Sequence, residues 1–226
     1  MAEIPPSWQI RAYIYGDSYP HKPHTLARVS EAELIKLSDS RFASLSDTVT
    51  PQGIMAICER RTYANWIDFY KIIKSASPTF LLLGERLADP GNIGTLIRTA
   101  AAAGAGGVVL SKGSADIYNP KVIRASAGAV LRIPILENAD LPVLIPSLNV
   151  PVIAAHLKGD ILPYDLGLSK GCAILIGNEA QGLSDEVSNL ADYLVKLPMA
   201  NEVESLNASL AGGILLYEVV RQSIAR

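Results

Sequence analysis

Five polar residues stand beside apolar runs, near turns marked by glycine or proline: Asn92, Arg98, Glu179, Ser205 and Asn207. The first two fall within Asp89-Pro-Gly-Asn-Ile-Gly-Thr-Leu-Ile-Arg98, where Gly94 permits a close approach and Arg98 is the lone cation of an apolar, alanine-rich helix. Glu179 lies in Ile176-Gly-Asn-Glu-Ala-Gln-Gly-Leu183. Two glycines around an amide and a carboxylate suggest a turn that presses backbone against a ligand. Ser205 and Asn207 close the stretch Leu197-Pro-Met-Ala-Asn-Glu-Val-Glu-Ser-Leu-Asn207, which runs into a long apolar helix whose first turn is expected to carry Ser205, Asn207 and Ser209. Such polar groups beside the free N–H donors of a helix start suit a polar or anionic ligand. Each also has a plain structural reading. Asn and Ser cap helices, Gly182 supplies a φ angle, and a helical Arg faces water.

Apolar strands must carry these turns. Short buried runs at Phe80–Leu83, Gly107–Leu110, Leu131–Ile135, Val150–Ala155, Ala173–Ile176 and Asp192–Leu197 alternate with helices over Ile93–Ala103, Asn119–Val130 and Ser205 to about Arg221. That alternation predicts an α/β fold with a mostly parallel sheet flanked by helices. The loops after parallel strands share one sheet edge, so residues far apart in sequence can converge there. Neither a dinucleotide fingerprint nor a Walker loop is present.

Residues 1–60 read as a small α/β unit: a strand from Trp8 to Tyr15, a helix opened by the capping box Ser30-Glu-Ala-Glu33 and running to about Ser38, and a strand over Ile54–Cys58. Residues 61–78 read as a linker ending in Ser75-Ala-Ser-Pro78, and 79–226 as the main domain. Arg60, Arg61, Lys71 and Lys74 interleave with Tyr63, Trp66, Phe69 and Tyr70 around that linker. An amphipathic helix with its rings on the core explains this pattern better than a surface that stacks bases.

Composition sets bounds. Of 226 residues, 49% are hydrophobic and 19% charged, the balance of a packed globular protein. The net charge is −2, and the chain before Thr79 holds nine Lys and Arg against eight Asp and Glu, leaving eleven against fourteen after it. Charge alone therefore does not point to nucleic acid. No apolar run matches a bilayer, and the opening Met-Ala-Glu-Ile-Pro-Pro-Ser-Trp lacks a basic n-region and an apolar core, so a cytoplasmic protein is expected. Cys58 and Cys172 lie in apolar runs, and His21 and His24 have no companion ligands, so neither a disulfide nor a metal is assigned.

Taken together and in order, the three motifs resemble those of the SpoU (TrmH-type) RNA 2′-O-ribose methyltransferases of the SPOUT superfamily, over roughly residues 79–226. Ser46-Asp-Thr-Val-Thr-Pro-Gln-Gly-Ile54 resembles the end of the small RNA-recruiting domain of ribosomal-RNA members, here shortened at its start. The resemblance implies a C-terminal trefoil knot, S-adenosylmethionine as methyl donor, RNA (ribosomal rather than transfer RNA) as substrate, and a homodimer whose active sites borrow from both subunits. It places Gly177, Asn178, Leu197, Met199, Leu206 and Ala155 at the donor, and Asn92, Arg98, Glu179, Ser205 and Asn207 on the RNA and catalytic side. A transfer-RNA 2′-O-methyltransferase is the nearest alternative, and a non-catalytic RNA-binding or ribosome assembly factor of the same fold is the other. The Gly212-Gly213 and Leu215-Leu216-Tyr217 segments are expected to serve the dimer.

Overall fold

The computed structural model describes residues 4–21, 29–46, 48, 50–63, 65–74 and 80–224. His24 and the whole of Ser75-Ala-Ser-Pro78 lie outside the described residues. The chain divides into two compact units that part after Arg61.

In the first unit β1 (Ile10–Gly16) is central, parallel to β2 (Glu33–Leu37) on one side and antiparallel to β3 (Ile54–Cys58) on the other. The helix expected from the capping box at Ser30 is not there. A 3-10 turn over Val29–Glu31 leads into β2, because Leu34, Ile35 and Leu37 are more valuable paired along β1 than coiled. The helix comes later, as α1 (Asp39–Leu45), with Phe42 buried. Gly16 makes room for it, since a Cβ there would stand 2.6 Å from Asp39 Oδ1.

The second unit begins with α2 (Trp66–Ile73), capped by the Asn65 side chain, which accepts from Asp68 N–H. This is the helix expected within residues 61–78, with its rings on the core, and it is counted with the second unit. Phe69 and Ile73 are buried among Leu81, Leu83, Val109 and Leu136. Gly107 leaves the space for Phe69, whose Cζ would lie 2.6 Å from a Cβ at that position. Trp66 lies tilted against Phe69 and Tyr63 meets it edge-on, with centroids 5.8 and 5.2 Å away, so these rings pack on one another.

Six parallel strands follow in the order β6-β5-β4-β8-β7-β9: β4 (Phe80–Gly84), β5 (Gly107–Ser111), β6 (Ile135–Ala139), β7 (Val152–Ala155), β8 (Cys172–Ile176) and β9 (Tyr193–Val195). Alternate side chains enter two separate cores. Phe80, Leu82, Val108, Ile153 and Ile174 face α3 (Pro90–Ala103), α4 (Pro120–Ala125) and α7 (Ala208–Ile224). Leu81, Leu83, Val109, Ala154 and Leu175 face α2, α5 (Leu141–Leu144) and α6 (Asp185–Ser188). Both faces are covered, which is why the strands read as unbroken apolar runs.

Several boundaries differ from expectation. The helix expected over Asn119–Val130 stops at Ala125, because Ala127 and Gly128 both adopt positive φ; a 3-10 turn over Ala129–Leu131 follows. Leu131 therefore belongs to that turn, and the strand starts at Ile135, past Pro134. Helix α3 begins three residues earlier than expected, with Asp89 accepting from Asn92 N–H and Pro90 in the first turn. Among the described residues no helix is long and apolar enough to cross a membrane.

Candidate active site

Strands β4 and β8 are neighbours, but the chain leaves them toward opposite faces, into α3 and α6 respectively. Such a switch point opens a crevice beyond the carboxyl ends of the strands. A cleft of about 470 Å³ lies there, lined by Asp89, Asn92, Glu179, Ser205, Leu206, Asn207 and Ala208. Four of the five chemistry-bearing residues read from sequence therefore meet at one place.

They are joined by one chain of hydrogen bonds. The Glu179 carboxylate accepts from Ala88 N–H (3.1 Å), Asp89 N–H (3.2 Å) and Asn92 Nδ2 (3.1 Å). Asn92 Oδ1 accepts from Asn207 Nδ2 at 2.9 Å. Asn207 Oδ1 in turn accepts from Ser209 N–H (2.9 Å), Ser209 Oγ (2.6 Å) and Leu210 N–H (3.3 Å), capping α7. An anionic acceptor at one end and helix N–H donors at the other fix which way each amide points. Burial alone would push the Glu179 carboxyl up. The Asn92 side chain and the backbone N–H groups outweigh it and hold the carboxyl below the usual glutamate value. Glu179 is therefore an ionised acceptor whose two oxygens are already engaged, which suits holding the frame rather than abstracting a proton.

The turn that carries Glu179 is built for this. Asn178 and Gly182 exchange backbone hydrogen bonds of 3.0 and 2.9 Å, and Asn178 Oδ1 accepts from Ala180 and Gln181 N–H. Gly182 has φ +68°, the left-handed conformation that glycine adopts freely. Gly177 serves a different need: a Cβ there would lie 2.4 Å from Gly182 C and from Leu183 N.

Other residues fall elsewhere. Ser205 is not in the first helical turn; α7 starts at Ala208, and Ser205 lies in the preceding loop, lining the cleft with an exposed hydroxyl. Gly94 does admit a close neighbour, but that neighbour is α4, since a Cβ would stand 2.5 Å from Ala125 Cβ. Arg98 is exposed on α3 and does not line the cleft. Gly177, Ala155 and Leu197 stand at or just past the carboxyl ends of the neighbouring strands β8, β7 and β9, and Ala155, Met199 and Leu206 pack on the same apolar core. Of these residues only Leu206 lines the cleft. Gly212, Leu215 and Leu216, expected to serve a partner, are spent within the chain. A Cβ at Gly212 would meet Leu96 Cδ2 at 2.5 Å, and both leucines are fully buried.

Sequence reasoning missed Asp89 as a cleft residue, and it missed Glu85. Glu85 is only 6% exposed and accepts from Ser184 N–H (2.8 Å) and Ser184 Oγ (2.7 Å), tying the end of β4 to the start of α6. A lone Glu after a strand carries no signal of burial. The Asp89-Pro90 pair was a visible cap signature.

Residues 79–217 match the model of the SpoU rRNA Methylase family. The chain is 37% identical over 230 residues to a 23S rRNA (uridine(2479)-2'-O)-methyltransferase of Streptomyces viridochromogenes, covering 96% of this chain and 78% of that protein. It is 33% identical over 186 residues to the 23S rRNA (guanosine(2553)-2'-O)-methyltransferase RlmP of Bacillus subtilis, covering 81% of this chain and 71% of the relative. The crystal structure of the SpoU methyltransferase AviRb from Streptomyces viridochromogenes, in complex with the cofactor AdoMet, superposes with a TM-score of 0.86 at 28% identity, covering 97% of this chain and 85% of that one. The chain belongs to the SpoU methylase family.

Proposed function

We propose that this protein transfers a methyl group from S-adenosylmethionine to a ribose 2′-hydroxyl of ribosomal RNA. The observation that carries the reading is the Asn207–Asn92–Glu179 chain, which locks all three family motifs around one cleft. S-adenosylmethionine supplies a methyl made electrophilic by its sulfonium. The protein's own task is to align a hydroxyl with that methyl and to ease loss of the proton.

The donor site we assign to Gly177, Asn178, Leu197, Met199, Leu206 and Ala155, with the carboxyl ends of β7, β8 and β9 forming its floor. The fit rests on the bare backbone at Gly177, packed tightly on the 182–183 peptide, and on the apolar side of the cleft at Leu206. We further propose that the chain leaving β9 is threaded as a trefoil knot. The tight seating of Gly159, where a Cβ would lie 2.7 Å from Leu194 O, supports close crossing of these segments.

On the RNA side, Ser205 is the polar cleft residue free to contact the ribose, with Asn92 and Asn207 oriented for it by Glu179. Arg98 reaches the cleft of a second copy in a homodimer. Support comes from α7, where Leu210, Ile214 and Tyr217 are spaced along one face and stay 58%, 40% and 51% exposed beside α3. As a fixed cation, Arg98 stabilises the developing alkoxide or grips a neighbouring phosphate; arginine stays protonated and makes a poor base. The first unit, up to Arg61, would recruit the RNA.

Calorimetric titration of the purified chain with S-adenosylmethionine tests the donor site. Binding that is abolished by Gly177→Val or Leu206→Trp is expected. No binding, alone or with ribosomal RNA, would move the reading to a non-catalytic RNA-binding factor.

A further inference from the structure

We propose that Arg86, together with Ser114, holds a phosphate of the RNA strand whose ribose enters the cleft; this rests on the RNA reading above.

Arg86 stands two residues past the end of β4 and adopts φ +48°, a left-handed conformation that disfavours any side chain with a Cβ. Its backbone is pinned on both sides. Arg86 N–H donates to Ser111 Oγ at 2.8 Å, and Arg86 C=O accepts from Asn178 Nδ2 at 2.7 Å. The side chain thus starts from a fixed point three residues before Asp89, which lines the cleft. Asn178 also organises the Glu179 turn, so the Arg86 backbone and the turn that carries Glu179 share one anchor.

Among the described residues, two buried side-chain polar atoms have no hydrogen-bond partner: Arg86 Nε and Ser114 Oγ. Their loops, after β4 and β5, adjoin. A Cβ on Gly113 would stand 3.5 Å from Arg86 Cγ. Lys112 is exposed in the same loop. Two unpaired donors beside a further cation on the ligand-binding edge of a parallel sheet match the needs of a phosphate, for which the guanidinium fork is well shaped.

The competing role for Arg86 is to neutralise Glu85. Yet both Glu85 oxygens already accept from Ser184, and the Arg86 Nη2–Glu85 Oε1 distance of 3.4 Å is long for a charge-assisted bond. A residue needed only for the turn would be glycine, which adopts this φ without strain. Strained conformations of this kind concentrate at functional sites.

Arg86→Gly separates the two roles. We would titrate a fluorescein-labelled single-stranded ribosomal RNA fragment with the full chain and with Arg86→Gly and Arg86→Lys at several salt concentrations, and record the melting temperature of each protein. Loss of one phosphate contact should lower the slope of log affinity against log salt by about 0.7 for single-stranded RNA. The expected result is that drop in Arg86→Gly, with a melting temperature equal to or above that of the parent, and a retained slope in Arg86→Lys. An unchanged slope in Arg86→Gly overturns the proposal. A lowered melting temperature with unchanged slope does so too, and assigns Arg86 to Glu85. Failure of the parent chain itself to bind the RNA overturns this proposal and the RNA reading together.

Discussion

Replacing Glu179 by glutamine keeps the size of the side chain but removes its charge and one acceptor oxygen. Three donors now point at that carboxylate: Ala88 N–H, Asp89 N–H and Asn92 Nδ2. A glutamine oxygen placed at the Oε1 position still serves Asp89 and Asn92, but its NH₂ then opposes Ala88 N–H, donor against donor. One bond is lost and two charge-assisted bonds become neutral. With roughly 1.5–3 kcal/mol for a charged bond and about 1 kcal/mol for a neutral one, the unscreened loss is about 4 kcal/mol. The carboxylate is open to water, which screens it, so a loss of about 1–2 kcal/mol is expected. The sign of its pH dependence follows from a folded carboxyl held below the usual glutamate value. Its contribution is complete above the unfolded pKa and disappears as pH falls through the lower folded value. Urea unfolding of parent and Glu179→Gln should therefore show a gap at neutral pH that closes on acidification below the usual glutamate range. Equal stability at neutral pH, or a gap that persists into acid, would refute the hydrogen-bond chain as the keystone of the site.

Further outcomes follow from the same geometry. Asn207→Asp keeps the α7 cap but sets a carboxylate oxygen against Asn92 Oδ1, so methyl transfer should fall at least tenfold while helix content by circular dichroism is retained. Asn207→Ala also loses the cap and should cost about 1 kcal/mol in urea unfolding. Gly177→Ala places a Cβ 2.4 Å from the 182–183 peptide, so donor binding should be lost and stability reduced by about 1–3 kcal/mol. Burial pushes the Cys172 thiol up to about 12, so this cysteine should resist iodoacetamide at neutral pH until denaturant is added; peptide mass spectrometry reads this out.

The catalytic half of the chain was legible because its signals are local. Fully apolar five-residue runs mark parallel strands, and Asp89-Pro90 marks a helix start. Gly-flanked polar turns mark the sheet edge. What stayed hidden depends on partners distant in sequence. Ser30-Glu-Ala-Glu33 has the pattern of a capping box, yet strand pairing with β1 decided its fate. Gly94 and Gly212 read as sites of close approach, but which neighbour approaches is a matter of helix packing. The placing of Ser205 failed by three residues, since Asn207, not Ser205, caps α7. Arg98 was grouped with the site by motif, whereas within one chain it lies outside the cleft.

The central claim is the reaction itself. The direct measurement is incubation of the purified chain with ribosomal RNA and methyl-labelled S-adenosylmethionine, followed by digestion to nucleosides and mass spectrometry. The account predicts a labelled 2′-O-methylnucleoside at one position, lost in Arg98→Ala and Asn92→Ala. Label on a base, or none on the RNA under conditions where the donor binds, would contradict it.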